Sequence, residues 1–191
     1  MIDDLALLAS RVALGASFAS HGAQKAFGWF EGPGPDGAAK FLESLGFKPG
    51  EKFAASASYT ELAAGTLIAL GLGGPIGPAM LISTMVVAQS TVHAKNGFFA
   101  SKNGVELGTI YSAAALALAG TGYGALSLDR ALGLDEKLRH PVVTTLSLAG
   151  ALAAGYFTLA QRDTSPGTLA TPTIKGRERN GAHDTPAPAK T

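Results

Sequence analysis

A few ionisable side chains set among apolar neighbours carry whatever chemistry this chain can do. His21 and Lys25 stand four residues apart, as do Gln89 and His93, and residues at that spacing share a helix face. Glu61 is the only formal charge in its apolar run, about eight residues in, or roughly 12 Å along a helix. Glu106 opens another run, and Arg11 sits deeper inside a third. Histidine donates and accepts protons near neutral pH because its unperturbed pKa is about 6.5. A carboxylate, two imidazoles and a lysine converging on one polar pocket would exchange protons with a quinone headgroup. Haem ligation by the two histidines, or a divalent metal held by them with Glu61 and Glu106, is a lesser alternative, because the spacing selects no such motif. A packing role competes with each assignment. Glu61, Arg11, His21 and His93 would form internal ion pairs and hydrogen bonds that set helix register, and Lys25 would snorkel to headgroups. Arg11, His21, Lys25 and His93 are the candidate partners of Glu61.

The elements that must hold these groups are apolar. Of 191 residues 47% are hydrophobic and 15% charged, against roughly 25% charged in a soluble domain. Runs at about residues 5–27, 53–72, 76–93, 105–121 and 142–160 approach or reach the roughly 20 residues a bilayer crossing needs. They are apolar all round rather than striped at a 3.6-residue period, which favours lipid over water as their surroundings. The predicted fold is an all-α polytopic membrane helix bundle of five spans. The competing reading is the core helices of a soluble protein. Small pairs four apart, Gly15 with Ala19, Ala113 with Ala117 and Ala149 with Ala153, are the expected helix contacts. Asp3, Asp4 and Arg11 argue against a secretory signal, although Ser17-Phe18-Ala19 resembles a cleavage site.

Between the first two runs, Asp36 is expected to cap a short interfacial helix with Phe41, Leu42 and Leu45 on one side and Lys40 and Glu43 on another. Pro49 is placed to open the second long helix. The stretch LGLGGPIGP reads as a tight hairpin. Asn96-Gly97 reads as a left-handed cap ahead of interfacial Phe98 and Phe99, and Gly122 and Gly124 as a helix stop with Asp129 capping the next element. Lys25, Lys40, Lys48, Lys52, Lys95, Lys102, Arg162, Lys175, Arg177 and Arg179 fall on one side of the five-span topology, and only Arg130, Lys137 and Arg139 on the other. That asymmetry predicts a cytoplasmic C-terminus and an external N-terminus. Residues 163–191, rich in Thr, Pro, Gly and charge, read as a disordered tail. The chain has no cysteine, so electrons would travel on a bound cofactor or a partner protein. A net charge of +1 argues against a nucleic-acid footprint, because no basic stripe is left over once the acids are counted.

His21-Gly22-Ala23-Gln24-Lys25, then His93-Ala94-Lys95-Asn96-Gly97-Phe98-Phe99, Glu106 and the stretch from Gly122 to Asp129 resemble the DoxX family of small bacterial membrane proteins. The resemblance covers about residues 5–133 and includes Glu61 with Gly65. It implies a four-helix membrane core over residues 1–133, to which the helix within 134–162 and the tail are additions, in the bacterial cytoplasmic membrane. His21, Gln24, Lys25, Glu61, His93, Asn96, Gly97 and Glu106 match the family pattern. The family name derives from a subunit associated with thiosulfate:quinone oxidation, and some members belong to redox complexes that meet oxidative or thiol stress. The resemblance thus implies a redox-associated subunit with the bilayer, redox proteins and a second copy as partners. A small proton-coupled carrier and a non-catalytic scaffold are the alternatives. No phosphate-binding loop marks a self-sufficient enzyme.

Overall fold

The computed structural model describes residues 2–165, and each apolar run is helical in it. In chain order the helices are α1 (Ile2–Phe27), α2 (Gly34–Ser44), α3 (Gly50–Leu70), α4 (Ile76–Ala88), α5 (Glu106–Thr121), α6 (Leu128–Ala131), α7 (Asp135–Leu138) and α8 (Pro141–Ala160). A π turn, Gln89–His93, continues α4, and two short 3₁₀ turns come after it. No strand occurs among the described residues. Among them α8 alone is by itself long and apolar enough to cross a membrane. Charged and hydroxyl side chains dilute α1 and α3, while α4 and α5 have 13 and 16 residues.

Close approach of α1 and α3 is the main packing event, and glycine permits it. A Cβ on Gly15 would lie 2.4 Å from the Gly65 carbonyl oxygen, one on Gly65 would lie 2.4 Å from the Ala19 nitrogen, and one on Gly22 would lie 2.5 Å from the Leu62 nitrogen. Backbones meet where side chains would otherwise hold them apart. Phe18, Ala64, Ile68, Leu81, Ala115 and Leu118 fill the space between these two helices and α4 and α5. The expected contact pairs on α5 and α8 are out of phase. Ala113, Ala117, Ala149 and Ala153 face outward, and the buried small pairs are Ala115 with Ala119 and Ala151 with Gly155, two residues along. Two residues turn a helix by about 200°, so the same four-residue motif on the opposite face makes the contact. Gly155 lies on Val86 of α4, where an added Cβ would come within 3.0 Å.

The alternation of helices gives the bundle two ends. At the first, called the hairpin end, Gly71 in the left-handed region (φ 66°) stops α3 and the chain turns tightly into α4. The start of α1 and residues 122–140 share this end, with the Ala125 N–H donating to Asp4 at 3.1 Å. Asp129 does not cap α6; Ser127 does, accepting from the Arg130 N–H. Asp129 instead reaches across to the α3–α4 hairpin, because burial of that turn leaves its N–H groups in need of an acceptor.

At the other, or cavity, end lie α2, the π turn, residues 97–105 and the end of α8. Asp36 makes no cap; α2 starts with Pro33 at its N-cap and Asp36 in its first turn. Pro49 is the N-cap of α3, and the Glu43 carboxylate accepts from the Gly50 N–H at 3.1 Å. After α8, Arg162 donates to the Leu45 carbonyl and the Asp163 N–H to the Gly46 carbonyl at 2.8 Å, so the start of the predicted tail is tied to the α2–α3 loop. The rest of that tail, from 166, lies outside the described residues.

Candidate functional site

Helical spacing on α1 puts His21 and Lys25 on one face, and the antiparallel crossing brings Glu61 of α3 opposite them. Lys25 donates to the Glu61 carboxylate, and its Nζ also lies 3.4 Å from the His21 carbonyl oxygen. The Glu61 side chain is 7% exposed and that of Lys25 30%, so the acid is buried while the ammonium keeps access to the surface. Side chains on a helix lean toward its N-terminus, and on antiparallel neighbours they lean past one another. Among the four candidate partners, Glu61 therefore pairs with Lys25. Arg11 is at the far end of α1.

His93 reaches the same place by another route. An extra residue in the π turn rotates the following residues relative to α4. Gln89 opens that turn and His93 closes it. Gln89 packs on Gly108 of α5, while His93 lines a cavity of about 540 Å³ with His21, Lys25 and Glu61. The Thr91 hydroxyl in the π turn donates to the Val87 carbonyl at 2.8 Å. Phe18, Phe41, Phe47 and Phe53 supply apolar wall, and α2 closes one side. Tyr111 of α5 also lines the cavity, its hydroxyl 2.6 Å from the Ser17 hydroxyl.

The remaining candidates do not face this cavity. The Gln24 amide lies 3.4 Å from the Phe30 carbonyl oxygen, within the turn after α1. The Glu106 carboxylate accepts from the Ala100 N–H at 2.7 Å, so it braces a loop. The Asn96 amide donates to the Val92 and Asn103 carbonyls at 3.0 and 3.2 Å. Asn96 is helical, and Gly97, with φ 79° and ψ −155°, ends the turn outside the left-handed helical region expected of it. With Glu106 turned away, a site joining it to Glu61 and the histidines is not assembled. Among the described residues no three His, Asp or Glu side chains gather as metal ligands.

Arg11 is 2% exposed at the hairpin end, where its guanidinium donates to the Ala69 and Leu126 carbonyls and lies 3.5 Å from that of Ile68. These are carbonyls of the last turn of α3 and of the loop after α5, so Arg11 ties two chain segments together. Asp129, also 2% exposed, accepts from Gly73 and Gly74 N–H at 2.9 and 2.7 Å. Nearby Tyr123 is buried, which pushes its hydroxyl pKa well above the ordinary range. At the surface, Arg130 donates to Asp135 at 2.7 Å and holds that carboxyl below its usual range.

Inference from sequence missed Tyr111, Thr91 and Asn103. The first two are polar tips inside apolar runs and were visible as such. Asn103 was not, because its contribution is a backbone carbonyl.

Residues 6–94 match the family model DoxX, a segment that ends short of the 5–133 the resemblance spans and leaves Asn96, Gly97 and Glu106 beyond it. No curated protein and no solved structure matches the chain. Since most of α1, all of α3 and α4 and the four ionisable residues of the cavity lie inside the matched segment, it is as a member of the DoxX family, a family of membrane proteins, that residues 6–94 are identified.

Proposed function

We propose that α1, α3, α4, α5 and α8 cross the bacterial cytoplasmic membrane as a polytopic bundle, and that the cavity receives a quinone headgroup within a membrane redox complex. The outward faces support the first part. Leu5 and Val12 on α1, Leu107, Ile110 and Leu116 on α5, and Leu146, Tyr156 and Phe157 on α8 are exposed, a surface suited to acyl chains rather than water. Lys25, Lys40, Lys48, Lys52, Lys95, Lys102 and Arg162 belong to the cavity end and Arg130, Lys137 and Arg139 to the hairpin end, so the cavity would open toward the cytoplasm.

One observation carries the second part: His21, His93 and the Lys25–Glu61 pair converge on an apolar, aromatic-walled space of about 540 Å³. A mostly apolar cavity with a few converging polar groups is the usual form of a small-molecule site. Phenylalanine rings would flank a planar headgroup, and imidazole and ammonium groups would hydrogen-bond its oxygens and exchange protons with it. A quinone takes up two electrons and two protons. This cysteine-free chain offers the protons a route, and a partner protein would provide the electrons.

Purification from native membranes in mild detergent, with identification of co-purifying proteins and lipophilic molecules, tests the whole reading. Glu61→Gln and His93→Ala are each expected to weaken quinone binding at least fivefold while leaving membrane insertion intact. Unchanged binding in both removes the cavity from the mechanism. It would leave the Lys25–Glu61 pair as a register-setting contact of a scaffold, whereas solute-dependent proton flux in proteoliposomes, abolished by Glu61→Gln, would favour a carrier.

A further inference from the structure

Both nitrogens of His93 can be assigned roles. Nδ1 lies 2.8 Å from the backbone carbonyl oxygen of Asn103. That oxygen carries no proton, so Nδ1 must be the donor. A neutral imidazole has one N–H, and Nε2 is then a bare acceptor. Nε2 has no partner among the described residues, and the histidine lines the cavity.

Residues 97–105 are shaped to hold that carbonyl in place. Asn103 adopts φ 60° and ψ 31°, a left-handed conformation that asparagine tolerates and β-branched residues do not. The Gly97 carbonyl accepts from the Val105 N–H at 3.0 Å and that of Phe98 from the Glu106 N–H at 2.9 Å. The Glu106 carboxylate closes the loop on Ala100, and Asn96 shares the Asn103 carbonyl with His93. A Cβ on Gly104 would come 2.3 Å from the Gly97 oxygen, so the loop can close this tightly only with glycine there. Asn96, Gly97 and Glu106, which stay out of the cavity, thus act on it through His93.

We infer that this loop locks neutral His93 as its Nδ1–H tautomer, and that the cavity thereby selects a headgroup bearing a hydroxyl, a phenol or hydroquinone, over one offering only acceptor oxygens. The inference rests on the quinone-type reading of the cavity and adds which redox form the His93 side prefers. Asn103 and Glu106 are positioning residues, the one through the carbonyl that holds the imidazole and the other by closing the loop on Ala100.

The test uses the full chain in lipid nanodiscs. With ¹⁵N-labelled histidine, and His93→Gln to assign the signal, the neutral ring of His93 should be protonated at Nδ1 and bare at Nε2. Asn103→Val should shift the ring toward the Nε2–H tautomer, and Asn103→Gly, which accepts positive φ, should restore it. Under anaerobic conditions a short-chain alkyl 1,4-dihydroxybenzene should bind about tenfold more tightly than its dimethyl ether, the value of one well-formed hydrogen bond. The preference should vanish in His93→Phe and Asn103→Val and return in Asn103→Gly. A wild-type ring protonated at Nε2, or equal binding of the two compounds, overturns the inference while leaving the cavity a ligand site. Binding of neither overturns the quinone-type reading beneath it.

Discussion

The hairpin end and the cavity end use the same kinds of charged side chain to opposite effect. At the hairpin end Arg11 and Asp129 are both 2% exposed, and their charges are taken up by backbone groups, carbonyls for the one and N–H groups for the other. At the cavity end Glu61 and Lys25 answer each other and, with two histidines, face open space. Burying a polar group without a partner costs far more than leaving it beside a cavity that water or a ligand can enter. A charge that completes the backbone therefore tightens the fold, while a charge that borders a void stays available for chemistry.

Opening the α1–α3 crossing would break the contrast most completely, since that crossing sets the register of both ends. Gly65→Val should destabilise the protein by about 3 kcal/mol or more through overpacking, read as thermal unfolding in detergent, and should abolish ligand binding as well. Next in size, Asp129→Ala leaves the N–H groups of Gly73 and Gly74 without an acceptor and should cost about 2–4 kcal/mol. Ligand binding measured below its unfolding temperature should match wild type. Glu61→Gln should cost only about 1 kcal/mol, because Lys25 keeps surface access and an ion pair so placed is screened. If Glu61→Gln proves as destabilising as Asp129→Ala, the two ends do not differ in kind. The smallest effect is one of pH. Arg130 depresses the Asp135 carboxyl pKa by hydrogen bonding, so the stabilisation it brings is complete at neutral pH and is lost as pH falls below about 4. Asp135→Asn should flatten that acid limb of the melting curve.

Much of the site is legible in the order of the residues. The four-residue spacing of His21 and Lys25 places them together, and Glu61, alone in its run, calls for a cation, which is Lys25. Spacing misleads wherever the phase of the helix is unknown. Ala149 and Ala153 carry the right motif on the outward face of α8. Arg11 has the right chemistry at the wrong end of the bundle, and Glu106 stands at the cavity end but turns into its own loop. No local pattern shows that a carboxylate will turn back to Ala100, or that a guanidinium will reach the last carbonyls of another helix.

Hydropathy along the chain was enough to determine that this protein is helical, where its long helices run and which few charges they must shelter, because each is a property of neighbouring residues and of the solvent they prefer. Which charges meet was decided only in three dimensions. Contacts between helices depend on rotation and depth, and here glycine at the α1–α3 crossing, the π turn after α4 and the left-handed Asn103 set both through atoms distant in sequence.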